Sequence, residues 1–437
     1  MIRNPFNPSA VITNPGDFYG RTYELAQIQR TFEKSSNLVE GIVGVGKSSL
    51  SYQAILRMEG FQTDLRSKSL RLTCHRDLTN LDQIAGVLIR QLVDVDEEAK
   101  NVAFKFPVIP QFSFGRETST IVRNYVAGHH LEIFRKLLAA EYIKGFVPDN
   151  HLLIIWIDEA DKIPRLVTQF VRFVLNQAQI DGVTNVRFLV SGVQPFFAKM
   201  QEEDSGMIRF FPRVIRLRTL SFEETEALLQ DNFSKFVFEV ENSGARINIH
   251  PSVISRTVEL SNGNPSIAQL LGYKIVDAEM QENDGIIDDR DLLTALRSIC
   301  HEDRDVIYSD HLSFIFDNEL DRKFALLFQE MVRSIPGRTT RARARTIIGD
   351  ESVKEFIDSN LIYEDSGEIF FVDELFRVRI ILDRVETFLA EEEFRKQLLR
   401  LKSSNFDERL DDDENVSIED TDLIEDTDEE TGQSNIW

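Results

Sequence analysis

A chain of 437 residues is long enough for two or three domains. Its 28% charged and 42% hydrophobic residues are those of an ordinary globular protein, which excludes collagenous and disulfide-stapled classes. The net charge of −23 is spread unevenly: Asp407–Trp437 holds fourteen acidic residues and one arginine, a net of −13, which leaves −10 for residues 1–406. That acidic end predicts a disordered tail, serving either as a solubilising end or as a docking or nucleic-acid-mimicking segment. The acidic body argues against broad nonspecific DNA binding and leaves room for a local basic patch. Nothing approaches the roughly eighteen consecutive apolar residues of a membrane span. The start, MIRNPFNPSA, lacks the apolar core of a signal peptide. Cys74 and Cys300 fall in separate regions without a metal or disulfide pattern. Together these predict a reducing, cytoplasmic setting and no membrane partner.

Asn4–Gly20 is rich in Pro and Asn and predicts an extended arm running into Phe18-Tyr19-Gly20-Arg21. Glu24–Phe32 has amphipathic helical spacing, and Asn37–Ile42 predicts a short strand. Gly41–Leu50, GIVGVGKSSL, then fits the phosphate-binding pattern G-x-x-x-x-G-K-[ST] at Gly41, Gly46, Lys47 and Ser48. Gly41, Gly44 and Gly46 let the backbone turn with positive φ and approach a polyphosphate. The loop amides, with Val45 and Ser49 in the same run, form an anion nest. Lys47 reaches the β/γ-phosphate oxygens, and the Ser48 hydroxyl is a Mg²⁺ ligand. Ser48–Arg57 predicts the helix whose N-terminus faces those phosphates.

Further along, Ser69–Cys74 alternates as a strand and Leu81–Leu92 as a helix. Asn101–Gly115 carries Phe104, Phe106, Phe112 and Phe114 around Pro107 and Pro110. It predicts a hairpin-like insertion that packs on its own domain or offers an aromatic surface to a partner. His129 and His130 lack metal-ligand spacing and are structural. Leu152–Ile157 is a continuous apolar run, as expected of a buried parallel strand. Asp158 and Glu159 follow at its carboxyl edge, where open α/β sheets place ligands. This is a Walker B pattern: Asp158 holds Mg²⁺ through its water shell, and Glu159 orients or deprotonates the attacking water.

With both motifs in one chain, Asn4–Ser298 resembles AAA+ and STAND-type P-loop ATPases. That resemblance implies several roles. The arm lies over the adenine, which makes Tyr19, Gly20 and Arg21 base-proximal; packing of Phe18 and Tyr19 in the core is the alternative. Asn185–Gly192 is a further buried strand, and its Ser191 takes the sensor-1 place near the γ-phosphate. Met207–Ser221 resembles the stretch that carries an arginine finger, with Arg209 and Arg213 as candidates. Arg216 and Arg218 read as exposed strand positions. Phe222–Lys235 begins a helical lid, with a Ser221/Glu224 capping box. Asn262-Gly263-Asn264-Pro265 matches the lid motif whose proline contacts the base. Ser266 stands where origin-recognition ATPases usually have arginine, which puts a sensor-2 arginine in doubt and leans toward STAND.

The remainder predicts a winged helix. Its helices fall at Arg322–Ser334, Gly337–Ile348 and Glu351–Leu361, a wing at Ile362–Val372, and a closing helix at Phe376–Leu399. The third helix carries Glu351, Glu355 and Asp358 against Lys354, the wrong sign for phosphate. Arg338, Arg341, Arg343 and Arg345 form one dense basic cluster, either a solvated face or a DNA contact. The expected fold is α/β: a P-loop, AAA+-like parallel-sheet core over residues 1–220 and a helical lid over 221–300. A winged-helix-like domain over 301–400 and a disordered acidic tail over 401–437 complete it. The expected activity is Mg²⁺-dependent ATP hydrolysis, slow or partner-stimulated, by a homo-oligomer assembling through the ATPase domain. The main expectation is a switch that assembles with or signals to a protein partner, as in bacterial defence. The alternative is DNA loading or remodelling of the origin-recognition or transposition-regulator type.

Overall fold

The apolar runs of the sequence become one parallel sheet in the computed structural model. It describes residues 3–59, 66–92, 94–96, 103–105, 128–138, 151–242, 244–334 and 337–383. Most of Asn101–Gly115, the closing helix beyond residue 383 and the acidic tail lie outside the described residues. Met1–Arg379 forms one compact unit; a second begins at Ile380, and only its first four residues, 380–383, are described, as helix.

After a single 3-10 turn at Pro15–Asp17 comes α1 (Thr22–Phe32). β1 (Asn37–Gly41) runs through the glycine loop into α2 (Lys47–Glu59), and β2 (Arg66–Thr73) leads to α3 (Leu81–Leu92). β3 (Asp94–Asp96) and β4 (Ala103–Lys105) pair antiparallel, so part of the phenylalanine-rich insertion does form a strand. Then follow α4 (His130–Leu138), β5 (His151–Asp158), α5 (Pro164–Ile180), β6 (Val186–Val193), α6 (Phe196–Glu203) and β7 (Val214–Leu217). The five long strands order as β2-β5-β6-β1-β7, all parallel, so their carboxyl ends share one edge.

Period-two alternation explains why β5 is an interior strand, between β2 and β6. Leu153, Ile155 and Ile157 face the cluster built with α3, α4 and α5, while Leu152, Ile154 and Trp156 face the one built with α1 and α2. Each of these buried aliphatic side chains contributes about 1.5–3 kcal/mol. Both faces are therefore covered, and the sheet edge is the open place left for polar chemistry.

The helical part comprises α7 (Phe222–Asn242), β8 (Asn248–Ile249), α8 (Pro251–Ser261), α9 (Pro265–Glu282), β9 (Ile286–Ile287) and α10 (Asp289–Ser298). The expected capping box closes: Ser221 N–H donates to Glu224 Oε2 at 2.9 Å and Glu224 N–H to Ser221 Oγ at 3.1 Å. A connecting helix, α11 (Asp305–Asp317), leads to α12 (Asp321–Met331), β10 (Arg338–Thr340), α13 (Arg341–Ile348), α14 (Asp350–Asp358), β11 (Ile362–Asp365) and β12 (Glu368–Phe371). Three helices beside an antiparallel sheet of order β10-β12-β11 is a winged-helix arrangement.

One boundary differs from expectation. Gly337–Ile348 is not a single helix: Arg338–Thr340 pairs with β12, and the helix starts only at Arg341. Thr340 is the reason. Its extended backbone suits the strand, and its hydroxyl accepts the Arg343 N–H at 3.2 Å as the N-cap. The wing turn matches expectation: Ser366 (φ 54°) and Gly367 (φ 83°) make a two-residue turn of the primed kind between β11 and β12.

Candidate active site

β1 lies between β6 and β7, so the glycine loop leaves the sheet flanked by both their ends. Gly41 sits opposite Leu217, and a Cβ on it would meet the Leu217 carbonyl oxygen at 2.6 Å. Gly44 (φ 77°) and Gly46 (φ 94°) adopt the left-handed backbone the motif requires. Lys47, first residue of α2, curls back so that Nζ donates to the carbonyls of Gly41 at 3.1 Å and Ile42 at 2.8 Å. Burial lowers its ammonium to about 8, and Asp161, Asp158 and Glu159 pull the other way.

The β5–β6 register pairs Ile157 with Val190, so Asp158 is followed across the sheet by Ser191. The buried Ser191 hydroxyl donates to Asp158 Oδ1 at 2.5 Å, and Glu159 N–H donates to the same oxygen at 3.1 Å. Arg71 on β2 stacks over the Trp156 ring at 4.1 Å and reaches Asp158 Oδ2 at 3.8 Å. Glu159 stands in left-handed backbone (φ 53°), and its Oε2 lies 2.5 Å from Lys162 Nζ. Asp161 accepts the Val193 N–H at 2.8 Å.

One cavity of about 490 Å³ gathers several of these groups, while the expected site residues Gly41 and Ser191 are buried and do not line it. Tyr19, Arg21, Gly44, Val45, Gly46, Lys47, Ser48, Ser49, Asp158, Glu159 and Pro265 line it, together with Asp161 and Lys162. The arm and the helical part close it. Ile12 N–H donates to Ser49 Oγ at 3.1 Å, and Asn7 N–H to Gln269 Oε1 at 3.0 Å. Phe6 meets Phe233 edge-on at 4.9 Å and lies where a Cβ on Gly272 would sit. Asn264 caps α9, and its Nδ2 donates to the Val43 carbonyl at 3.1 Å. Thus the first turn of α9 rests on the phosphate loop.

Other expected residues sit differently. Arg21 is largely buried at the cavity wall (φ 61°); it donates to the Arg218 carbonyl at 2.5 Å and the Val45 carbonyl at 3.4 Å, so it braces the loop. The Tyr19 hydroxyl donates to Asp231 of α7, and burial, then that bond, raise its pKa. Gly20 (φ 67°) turns the chain beside Glu224 and does not line the cavity. Ser49 spends its oxygen on the arm. Arg209, lying over the Phe210 ring at 5.0 Å, and Arg213 are exposed and do not line the cavity. Arg216 pairs with the buried Glu40 at 3.1 Å, and Arg218 reaches the wing, at 3.0 Å from Ser366 Oγ and 3.5 Å from Asp365. Asp161, Lys162, Asn264 and Gln269 were missed by sequence reasoning. The first two were visible as the end of the DEADK run, whereas the last two needed the lid's placement.

The donor set suits a magnesium-bound polyphosphate: a hydroxyl, a buried carboxylate at a strand end, a second carboxylate and an ammonium share one cavity. Among the described residues no group of three or more His, Cys, Asp or Glu could cage a metal by itself. Mg²⁺ takes one or two protein oxygens and the substrate's phosphates.

No protein-family model matches the sequence, and no curated protein matches it. Solved structures do. The Aeropyrum pernix ORC2 protein, in ADPNP-ADP complexes, superposes over 88% of this chain and 98% of its own, with TM-score 0.52 at 15% identity. The Walker-type ATPase of Pyrococcus abyssi does so over 85% and 98%, with TM-score 0.51 at 12% identity. The chain has an AAA+-like P-loop ATPase fold. At these identities the likeness is one of fold. No helix among the described residues of this AAA+-like chain is long and apolar enough to cross a membrane.

Proposed function

We propose that this chain is a Mg²⁺-dependent ATPase that works as a switch between its sheet core, its helical lid and its winged helix. The observation that carries the reading is the convergence of the loop, the Asp158–Glu159 turn and the first turn of α9 on one cavity. Ser48 and Asp158 would hold Mg²⁺, which when bound neutralises phosphate charge. Lys47 exchanges its two loop carbonyls for β/γ-phosphate oxygens, the anion-binding role of this motif. Ser191 fixes the Asp158 carboxylate through Oδ1. Glu159 orients the attacking water and accepts its proton. Tyr19 and Pro265 flank the base end. Arg209 and Arg213 lie on an exposed face, where a finger would act on a neighbouring subunit; homo-oligomerisation belongs to this proposal.

Two outputs are open to such a switch. The DNA-loading or remodelling reading of the origin-recognition type draws support from the shared fold with the ORC2 protein. The protein-partner reading, signalling or defence, draws support from the pairing of every arginine in the 338–345 cluster with an acid of its own domain. The fold comparison weighs more toward the first. The test is ATP turnover and size-exclusion chromatography with and without ATP and duplex DNA. Lys47→Ala should lose nucleotide binding, and Glu159→Gln should bind but turn over at least about a hundredfold more slowly. Wild-type turnover in Glu159→Gln would overturn the assignment of the base. ATP-dependent co-elution with DNA would decide for the first output.

A further inference from the structure

Lys162 has no part in the motif reading, yet it shares the cavity with Lys47. The turn after β5 puts it there. Glu159 in left-handed backbone begins a 3-10 turn over Ala160–Lys162, and Lys162 N–H returns to the Glu159 carbonyl at 3.1 Å. The same turn brings Nζ to 2.5 Å from Glu159 Oε2. The carboxylate that should face water is therefore held by a cation of its own turn. The hold is weak by nature, since Lys162 and Glu159 side chains are 41% and 46% exposed. Lys47 is the opposite case: half-buried and tied to two carbonyls. A terminal phosphate carries more charge than a carboxylate and accepts charge-assisted hydrogen bonds on several oxygens. It would outcompete Glu159 for a flexible ammonium that reaches the same cavity.

We propose that Lys162 is a γ-phosphate contact that trades partners. It holds Glu159 and passes to the γ-phosphate of a bound nucleoside triphosphate, which frees Glu159 toward the attacking water. The proposal rests on the ATPase reading above. It makes the cavity discriminate triphosphate from diphosphate, because ADP offers no group that draws Lys162 away.

The test is calorimetric affinity for ATPγS and for ADP, each with Mg²⁺, in wild type, Lys162→Ala, Lys162→Arg, Glu159→Gln and the Glu159→Gln/Lys162→Ala double variant. The expected result is about a tenfold loss of ATPγS affinity in Lys162→Ala, the size of one charge-assisted contact, with ADP affinity within about twofold of wild type. Lys162→Arg should recover most of the loss. Glu159→Gln should tighten ATPγS binding when Lys162 is present and not in the double variant, because only then is an ammonium released. Equal losses for both nucleotides, or none for either, would overturn the proposal while leaving the ATPase reading standing. A wild-type protein that binds neither nucleotide would overturn both.

Discussion

Asn264 of α9 donates its amide N–H to the carbonyl of Val43 in the phosphate loop, at 3.1 Å across 221 residues of sequence. The same side chain's oxygen accepts from Ser266 N–H at 3.1 Å and Ile267 N–H at 3.4 Å, capping its helix. One residue therefore ends a helix and fastens it to the loop. Asn264→Asp keeps the cap acceptor but loses the donor and adds a negative charge beside the phosphates. It should melt within about 1 kcal/mol of wild type, since Asp caps as well as Asn. Its ADP affinity should fall more than that of Asn264→Ala, by about tenfold or beyond. Calorimetry and thermal melts check it, and an aspartate variant with wild-type ADP affinity would sink the docking argument.

The arm is the second fastening. Phe6 is buried between Gly272 and Phe233, Gln53 Nε2 donates to the Ile12 and Thr13 carbonyls at 2.9 and 3.1 Å, and Ser49 accepts from Ile12. The segment thus ties α9 to α2 over the cavity. Phe6→Ala removes a buried ring, a change that costs about 3–5 kcal/mol in a closed core. Here the arm can detach instead, so the measured loss should be smaller and local. The expected outcome is faster release of a fluorescent ADP analogue, by several-fold in stopped flow, and new protease cleavage within residues 4–19. Unchanged release would mean the arm does not gate the cavity.

How much of this was legible follows from the range of the interactions. The sequence Asn37–Glu59 shows its strand, loop and helix because glycine, lysine and apolar spacing are local signals, and Leu152–Ile157 shows a buried strand for the same reason. β10 was not legible: Arg338–Thr340 reads as helix with the Arg/Ala alternation that follows, and only β12, about thirty residues on, makes it a strand. Nor were the partners of the arginines, which lie from 5 (Arg345 to Asp350) to 30 residues away. Arg21 was legible only in part, for a related reason. Its place before α1 was readable, but its bonds to Val45 and Arg218 needed the sheet to be assembled.

The helical part from α7 to α10 carries a pH dependence. Glu279 of α9 and Asp291 of α10 are both buried, and an oxygen of each lacks a hydrogen-bond partner. Burial raises both pKa values; Asp284 and Asp291 add to the effect at Glu279, and Glu282, Asp288 and Asp284 at Asp291. The backbone N–H of Gly285 opposes it at Glu279 and that of Asp288 at Asp291. A raised folded-state pKa means the folded protein binds more protons. The stability these groups give is full below their unfolded pKa values and is lost as pH rises through the folded ones. Glu279→Gln keeps an acceptor for Gly285 and puts N–H groups where the acids crowd. It should raise the melting temperature at pH 7.5, on the order of 2 °C, with the gain shrinking toward pH 5. A gain that instead grew toward acid would reverse the sign and reject the argument.

The arginines of the winged helix decide its output. Arg338 pairs with Glu368 at 3.3 Å, Arg343 with Glu330 at 3.3 Å, Arg345 with Asp350 at 3.1 Å, and Arg341 with Glu364 and, at 3.5 Å, with Asp350. All four are thus paired within the domain, and the neighbouring α14 exposes Glu351, Glu355 and Asp358 around Lys354. DNA phosphates would have to displace these acids. Neutralising them tests that directly: Glu364→Gln with Asp350→Asn releases Arg341 and Arg345 without touching either. If the cluster meets DNA, duplex affinity should rise and the salt dependence should steepen by about one to two counterions, since each phosphate contact contributes a slope of about 0.9. Arg341, Arg343 and Arg345 all changed to Glu should abolish the binding and also lower the melting temperature, because Glu330, Asp350 and Glu364 would then face like charges. Fluorescence anisotropy of labelled duplex over a salt series, with ATP present, reads both. If neutralising the acids leaves DNA affinity unmoved while the triple change alters assembly with a protein, the winged helix is a docking module and the origin-recognition reading fails.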